Sequence, residues 1–353
     1  MKKSITQKDE HNVPSARIVY WDVAKCLLMF LVILGHVVQL WKYGSISSDN
    51  FWQDSVFKAI YMFHMPCFIL ISGFFAGKTI QEQTWKTLPK YARRLILPGI
   101  TFGCFWLLYR MAGGAAHVPL NFPQIVKAAA PFWFLSTLFE CVCFFILFSL
   151  PSSKIFKTTM IIAPLVLALA ISELPQYLQY FFPHSRWFVY YWPFFLLGAA
   201  MRHYRISPEK IKNASLWGGI FFVLYVVSFY FFPHQWTVYQ KAPTLSLESL
   251  SINGIRTLVA VIGCGAFLFA IRVVAFMGKY AIIRLLGAAT MGLYVLQSCV
   301  FSLGNIYMRY LPENMGYACS CFFAVALMLL LYAVYFLTSK IKWMRLLMYG
   351  ESK

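Results

Sequence analysis

The sequence predicts an all-α, polytopic integral membrane protein of about ten helices in one bundle, with both termini cytoplasmic. Three observations lead there. Of the 353 residues, 60% are hydrophobic and 12% charged, about half the charged share of an ordinary soluble domain. Apolar runs long enough to cross a bilayer recur along the chain. With residue 1 inside, 22 Lys and Arg fall in the inside segments and 8 in the outside ones, a positive-inside pattern. The net charge of +19 is then a matter of topology and anionic lipid, and it argues against nucleic acid as a partner.

Residues 1–17 are polar and lack the short apolar core and small-residue cleavage site of a signal peptide, so an uncleaved anchor is expected to follow a cytoplasmic tail. The predicted spans lie near 23–41, 56–76, 95–112, 131–150 and 157–172, then 187–203, 215–232, 255–276, 285–303 and 317–338. The fifth and sixth are short, and the sixth is aromatic-rich. Together they form one membrane domain over residues 18–339, followed by a basic cytoplasmic tail at 340–353. The nine cysteines all lie in or beside apolar segments and read as small buried hydrophobes. Cys141/Cys143 and Cys319/Cys321 are two residues apart, about 200° around a helix, which is poor chelating geometry. No metal is expected.

Polar residues inside the apolar runs mark the candidate site. Lys25 and His36 fall within roughly 20° of one face of the first span, about 16 Å apart along it. Asp22 and Gln39 share that stripe. Such groups cost several kcal/mol in lipid unless they line a wet or protein-filled cavity. Asp22 can pair with Lys25, and His36 can exchange a proton near neutral pH. In the second span Pro66 predicts a kink near His64; the imidazole either serves the site or satisfies the broken hydrogen-bond ladder. Lys90, Arg93 and Arg94 precede Pro98 and read either as topology-setting charge or as a clamp for phosphates. Trp133, Thr137 and Glu140 share a face of the fourth span, and Thr290, Tyr294 and Gln297 repeat that spacing in the ninth. The outer aromatics Trp41, Trp52, Tyr177, Tyr180, Trp187, Trp236 and Tyr239 suit either an interfacial belt or the stacking of sugar rings.

Four motifs bear a family likeness: Arg17 to Lys25 continuing to Leu34-Gly35-His36, and Phe63-His64-Met65-Pro66 with Ile71-Ser72-Gly73-Phe74. The others are Pro131-Phe132-Trp133-Phe134-Leu135, and Leu286-Gly287 with Leu293 to Gln297. In these the chain resembles the bacterial membrane acyltransferase-3 family, in particular its fucose 4-O-acetylase-like branch. The resemblance implies a ten-helix enzyme of the bacterial cytoplasmic (inner) membrane. It implies transfer of an acyl group, acetyl foremost, from cytoplasmic acyl-CoA (acetyl-CoA) to a hydroxyl of a glycan or other cell-envelope acceptor. His36 is then the essential catalytic residue, with Lys25 as its basic companion and Asp22 setting local charge. Lys90, Arg93 and Arg94 would meet the coenzyme's phosphates, while His64, Trp133, Glu140, Tyr294 and Gln297 bind or orient. Two positions depart from the family pattern. Lys25 stands where arginine is common, and Gln297 where relatives often have histidine; glutamine can orient a substrate but cannot act as a base. The rival expectation is a transporter or flippase of a glycolipid or small solute, using the same stripe as a path.

Overall fold

The computed structural model describes residues 16–42, 49–112, 121–149, 154–174, 185–307 and 316–352. The expected N-terminal tail, as far as residue 15, and the aromatics Tyr177 and Tyr180 lie outside the described residues, as does the side chain of Trp41. Every predicted span coincides with helix. The first half comprises α1 (Ala16–Val37), α2 (Ser55–Tyr61), α3 (His64–Gln83), α4 (Leu88–Leu95) and α5 (Leu97–Ala112). It continues with α6 (Phe122–Ala128), α7 (Trp133–Phe148) and α8 (Lys154–Ser172). The second half holds α9 (Ser185–His203), α10 (Ala214–Phe231), α11 (Leu247–Val274) and α12 (Ala281–Ala288). The last are α13 (Thr290–Tyr307), α14 (Tyr317–Ser339) and α15 (Lys342–Tyr349).

Among the described residues, 7 helical stretches are long and apolar enough to cross a membrane, or 8 when the bent pair α12–α13 counts as one. Helices α8 and α9 fall short of that test. Helix α9 is bounded by Arg186 and by Arg202 and His203, yet it buries Phe188, Tyr190, Tyr191, Trp192, Phe194 and Phe195 in the bundle.

The bundle is organised around α1, which is apolar on nearly every side and touches α3, α11, α12, α13 and α14. Helix α10 is the opposite case: it buries no residue and pairs with α11 at the periphery. Lipid gives helices no hydrophobic reason to associate, so close backbone contact has to do so. Helices α3 and α9 cross through glycine: a Cβ added at Gly73 would lie 2.1 Å from Phe195 O, and one at Gly198 would lie 1.9 Å from Leu70 O. Helix α12 meets α1 the same way, since a Cβ on Gly287 would sit 2.1 Å from Asp22 O. The glycine of the fourth motif is therefore a contact point for the helix that bears the polar stripe.

Breaks in the helices follow from proline and from charge. Pro66 has no N–H for the carbonyl of Met62, and the chain leaves helical geometry at Met62–Phe63 between α2 and α3, where the kink is expected. Helices α12 and α13 meet at 70°. Two segments expected to be irregular are helical. Lys90, Arg93 and Arg94 sit on the amphipathic α4, not in a loop, and the basic tail contains α15, which folds back against α5. Cys319 is exposed on α14, unlike the buried Cys26, Cys67, Cys141 and Cys264.

The α3–α9 crossing yields a stability test. Gly198→Leu should destabilise the detergent-solubilised protein by about 1–3 kcal/mol or more through overpacking. Gly219→Ala, with nothing within 4 Å of the added Cβ, should leave the melting temperature unchanged or slightly raised.

Candidate active site

Helix α1 passes into a π-helical turn, Val38–Lys42, directly after His36. Such turns widen the helix and recur at functional sites. Here the turn holds Gln39 against the imidazole. His36 Nδ1 lies 2.8 Å from Gln39 Oε1, and Tyr61 Oη donates to the same oxygen at 3.3 Å. An amide oxygen only accepts, so the imidazole proton resides on Nδ1 and the neutral ring keeps its lone pair on Nε2. The ring also leans on Phe301 with 4.9 Å between centroids. His64 is fixed in the same sense: its Nδ1 donates to Ile60 O at 2.8 Å, at the break that precedes Pro66. It therefore serves the interrupted ladder while also facing the site, and Tyr61 lies against it at 4.6 Å.

These side chains line a cavity of about 500 Å³. Besides the two histidines, Gln39 and Tyr61, its wall includes Trp52, Trp133, Tyr239, Tyr294 and Ser298, and α5 contributes Phe102, Phe105 and Trp106. The aromatic wall is built as a cluster. Trp133 stands edge-on to Trp187 at 4.4 Å and stacks on Tyr191 at 5.4 Å. Tyr239 touches Trp52, Tyr61, Trp133 and Trp187, and its hydroxyl lies 3.2 Å from that of Tyr191. Tyr239 belongs to the connection between α10 and α11, which buried Arg256 holds by donating from Nη1 to Lys241 O at 2.6 Å. Tyr294 is anchored by donating to Pro131 O at 3.3 Å.

Of the residues singled out in the sequence, the cavity gathers His36, His64, Trp133 and Tyr294, with Gln39 from the stripe and Trp52 and Tyr239 from the outer aromatics. Lys25 and Asp22 do not line it. They pair with each other at 2.7 Å, the partnership their spacing suggests, with the ammonium 5.8 Å from the centre of the Phe75 ring. Glu140 is buried on α7 outside the lining. Gln297 is fully buried, and neither amide atom has a hydrogen-bond partner among the described residues. Lys90 is exposed on α4. Arg93 is committed in part to the C-terminal segment, donating to Gly350 O at 3.1 Å and Ser352 Oγ at 3.0 Å. No group of three or more His, Cys, Asp or Glu side chains is arranged for a metal among the described residues. Sequence reasoning missed Tyr61 and Ser298, although they lie three and four residues from residues it did select, His64 and Tyr294.

The described residues thus form a helical bundle around an oriented imidazole in an aromatic cavity. The chain belongs to the acyltransferase-3 family, whose acyltransferase-domain model matches residues 18–333. It is similar to the nodulation protein NolL of Sinorhizobium fredii, 33% identical over 178 residues, or 47% of each chain. It is also similar to the nodulation protein NolL of Mesorhizobium japonicum, 39% identical over 95 residues, 26% of this chain and 25% of that one. The matches thus span half or less of the length of these curated relatives. No solved structure matches the chain.

Tyr239 permits a test of how the cavity wall is held. Tyr239→Ala should cost about 3–5 kcal/mol in thermal unfolding through the lost ring contacts. Tyr239→Phe, which loses only the bond to Tyr191, should cost about 1 kcal/mol.

Proposed function

We propose that this protein is an integral membrane O-acyltransferase that moves an acyl group, acetyl first, from acyl-CoA to a hydroxyl of a glycan or other cell-envelope acceptor. The observation that supports this most is the Gln39-oriented His36 in a cavity walled by aromatic rings. The orientation leaves Nε2 as the basic atom. In the proposed reaction Nε2 accepts the proton of the attacking hydroxyl as its oxygen adds to the thioester carbonyl. The carbon–sulfur bond breaks and the imidazolium returns the proton to the departing thiolate, so that an ester and a free thiol are the products. Gln39 Oε1 keeps its bond to Nδ1–H throughout and stabilises the transient positive charge. Proton transfer by a positioned group of this kind contributes about 10²- to 10⁴-fold.

The aromatic wall suits an acceptor with a carbohydrate ring, whose C–H face packs on Trp and Tyr while its hydroxyls reach the polar groups. In this reading both termini and α4 face the cytoplasm of a bacterial inner membrane, as the distribution of Lys and Arg suggests. Lys90, Arg93 and Arg94 then meet the donor's phosphates, with Arg93 sharing its donors between the ligand and the C-terminal segment. Lys25 and Asp22 contribute to the field along α1 and do not touch the reacting atoms. Gln297, buried beside Tyr294 on α13, supports the acceptor wall.

Purified protein supplied with labelled acetyl-CoA and a glycan acceptor tests the reading. His36→Ala should abolish label transfer with membrane expression intact; retained turnover would remove the proposal's centre. Gln39→Leu, which keeps the imidazole but frees its tautomer, should lower kcat by about 10²-fold with the donor KM unchanged. Movement of substrate across the bilayer without label transfer would favour the transporter instead.

A further inference from the structure

A second cavity, of about 550 Å³, opens at the opposite end of α1 from His36 and is lined by Tyr20, Glu209, Arg272, Gly278, Lys279 and Arg284 among others. Its helices, α1, α11 and α12, are not those that hold α4, so it is separate from the basic group at Lys90, Arg93 and Arg94. Three cations face one carboxylate. That carboxylate is already engaged, since Glu209 Oε1 accepts from Ser207 Oγ at 3.1 Å. Among the described residues no ion pair joins Arg272, Lys279 or Arg284 to an acid.

Both guanidinium groups are held in place by the backbone. Arg272 Nη1 donates to Pro208 O at 3.1 Å and to Ile211 O at 2.8 Å. Arg284 Nη1 donates to Gly278 O at 2.6 Å and to Lys279 O at 3.2 Å. One terminal nitrogen of each is thus spent on fixing the plane, and the remaining N–H groups have no protein partner among the described residues, in a half-buried setting where charge is weakly screened. Lys279 is exposed at the rim, its ammonium 4.9 Å from the centre of the Tyr280 ring. Ordinary topology-setting charge snorkels on free stems, whereas two pre-ordered forks and a rim lysine around one cavity suit a phosphate oxyanion.

We propose that this cavity binds a phosphate ester. Two sources share that chemistry: the nucleotide end of the acyl-CoA donor, which rests on the acyl transfer proposed above but would take the donor's phosphates from α4, and the headgroup of an anionic phospholipid. The test uses the full chain in nanodiscs of phosphatidylcholine. Binding of coenzyme A is measured by calorimetry with phosphate-free pantetheine as control, and retention of added phosphatidylglycerol by native mass spectrometry. Lys279→Gln/Arg284→Gln should weaken one of the two by about tenfold or more, the loss of a charged hydrogen bond. Loss of coenzyme A binding assigns the cavity to the donor; loss of phosphatidylglycerol assigns it to lipid. Unchanged retention of both would overturn the proposal. If the double variant does not fold, Lys279→Glu, at an exposed position, should produce the same loss by charge reversal, and its failure to do so would likewise overturn it. His36→Ala separates the two proposals: it should lose transfer while binding both probes normally, so a failure here leaves the role of His36 standing.

Discussion

The hydrogen bond from His36 Nδ1 to Gln39 Oε1 is the constraint on which the rest of the site depends. A half-buried histidine in a lipid-spanning helix has two ring nitrogens, and its neighbours choose between them. Gln39, itself held by the Tyr61 hydroxyl, makes the choice and leaves the free lone pair on Nε2. The π-helical turn that follows α1 brings the glutamine within reach. Around this pair the aromatic cluster gives the cavity its shape.

Placing one imidazole requires the helices that surround it to stay where they are. Helix α1 is clasped by α12 at Gly287 and by the end of α11, while α3 brings His64 and is locked to α9 through paired glycines. In a bilayer such backbone contact substitutes for the hydrophobic driving force that water supplies to soluble bundles. The peripheral α10–α11 hairpin contributes differently. Its connection delivers Tyr239 into the wall, secured by the Arg256 guanidinium. Arg256 is a buried side chain within α11.

Much of this was legible in the residues. The apolar runs marked the helices, and Pro66 marked the break between α2 and α3. The arithmetic of one helical face singled out Lys25, His36, Asp22 and Gln39. It could not divide that stripe, because periodicity reports direction around an axis and says nothing of which neighbour covers each turn. Lys25 and Asp22 neutralise each other beside Phe75, whereas His36 and Gln39 open onto the cavity. Helical-wheel geometry also stops applying at Val38, where the turn becomes π. The amphipathic α4 and α15 were read as loop and tail because short charged helices carry no span signal; docking against α5 and α7 stabilises them. The Tyr239 contact joins residues far apart in the chain, and no local pattern announces it.

The family match places the chain among acyltransferases, and the orientation of His36 is what the proposed transfer depends on. Nitrogen-15 resonances of its ring, assigned by comparison with His36→Gln protein, report that orientation directly. At neutral pH they should show a proton on Nδ1 and a bare Nε2, with the Nε2 signal shifting when an unreactive acyl-CoA analogue is added. A proton on Nε2, or signals indifferent to the analogue, would contradict the mechanism.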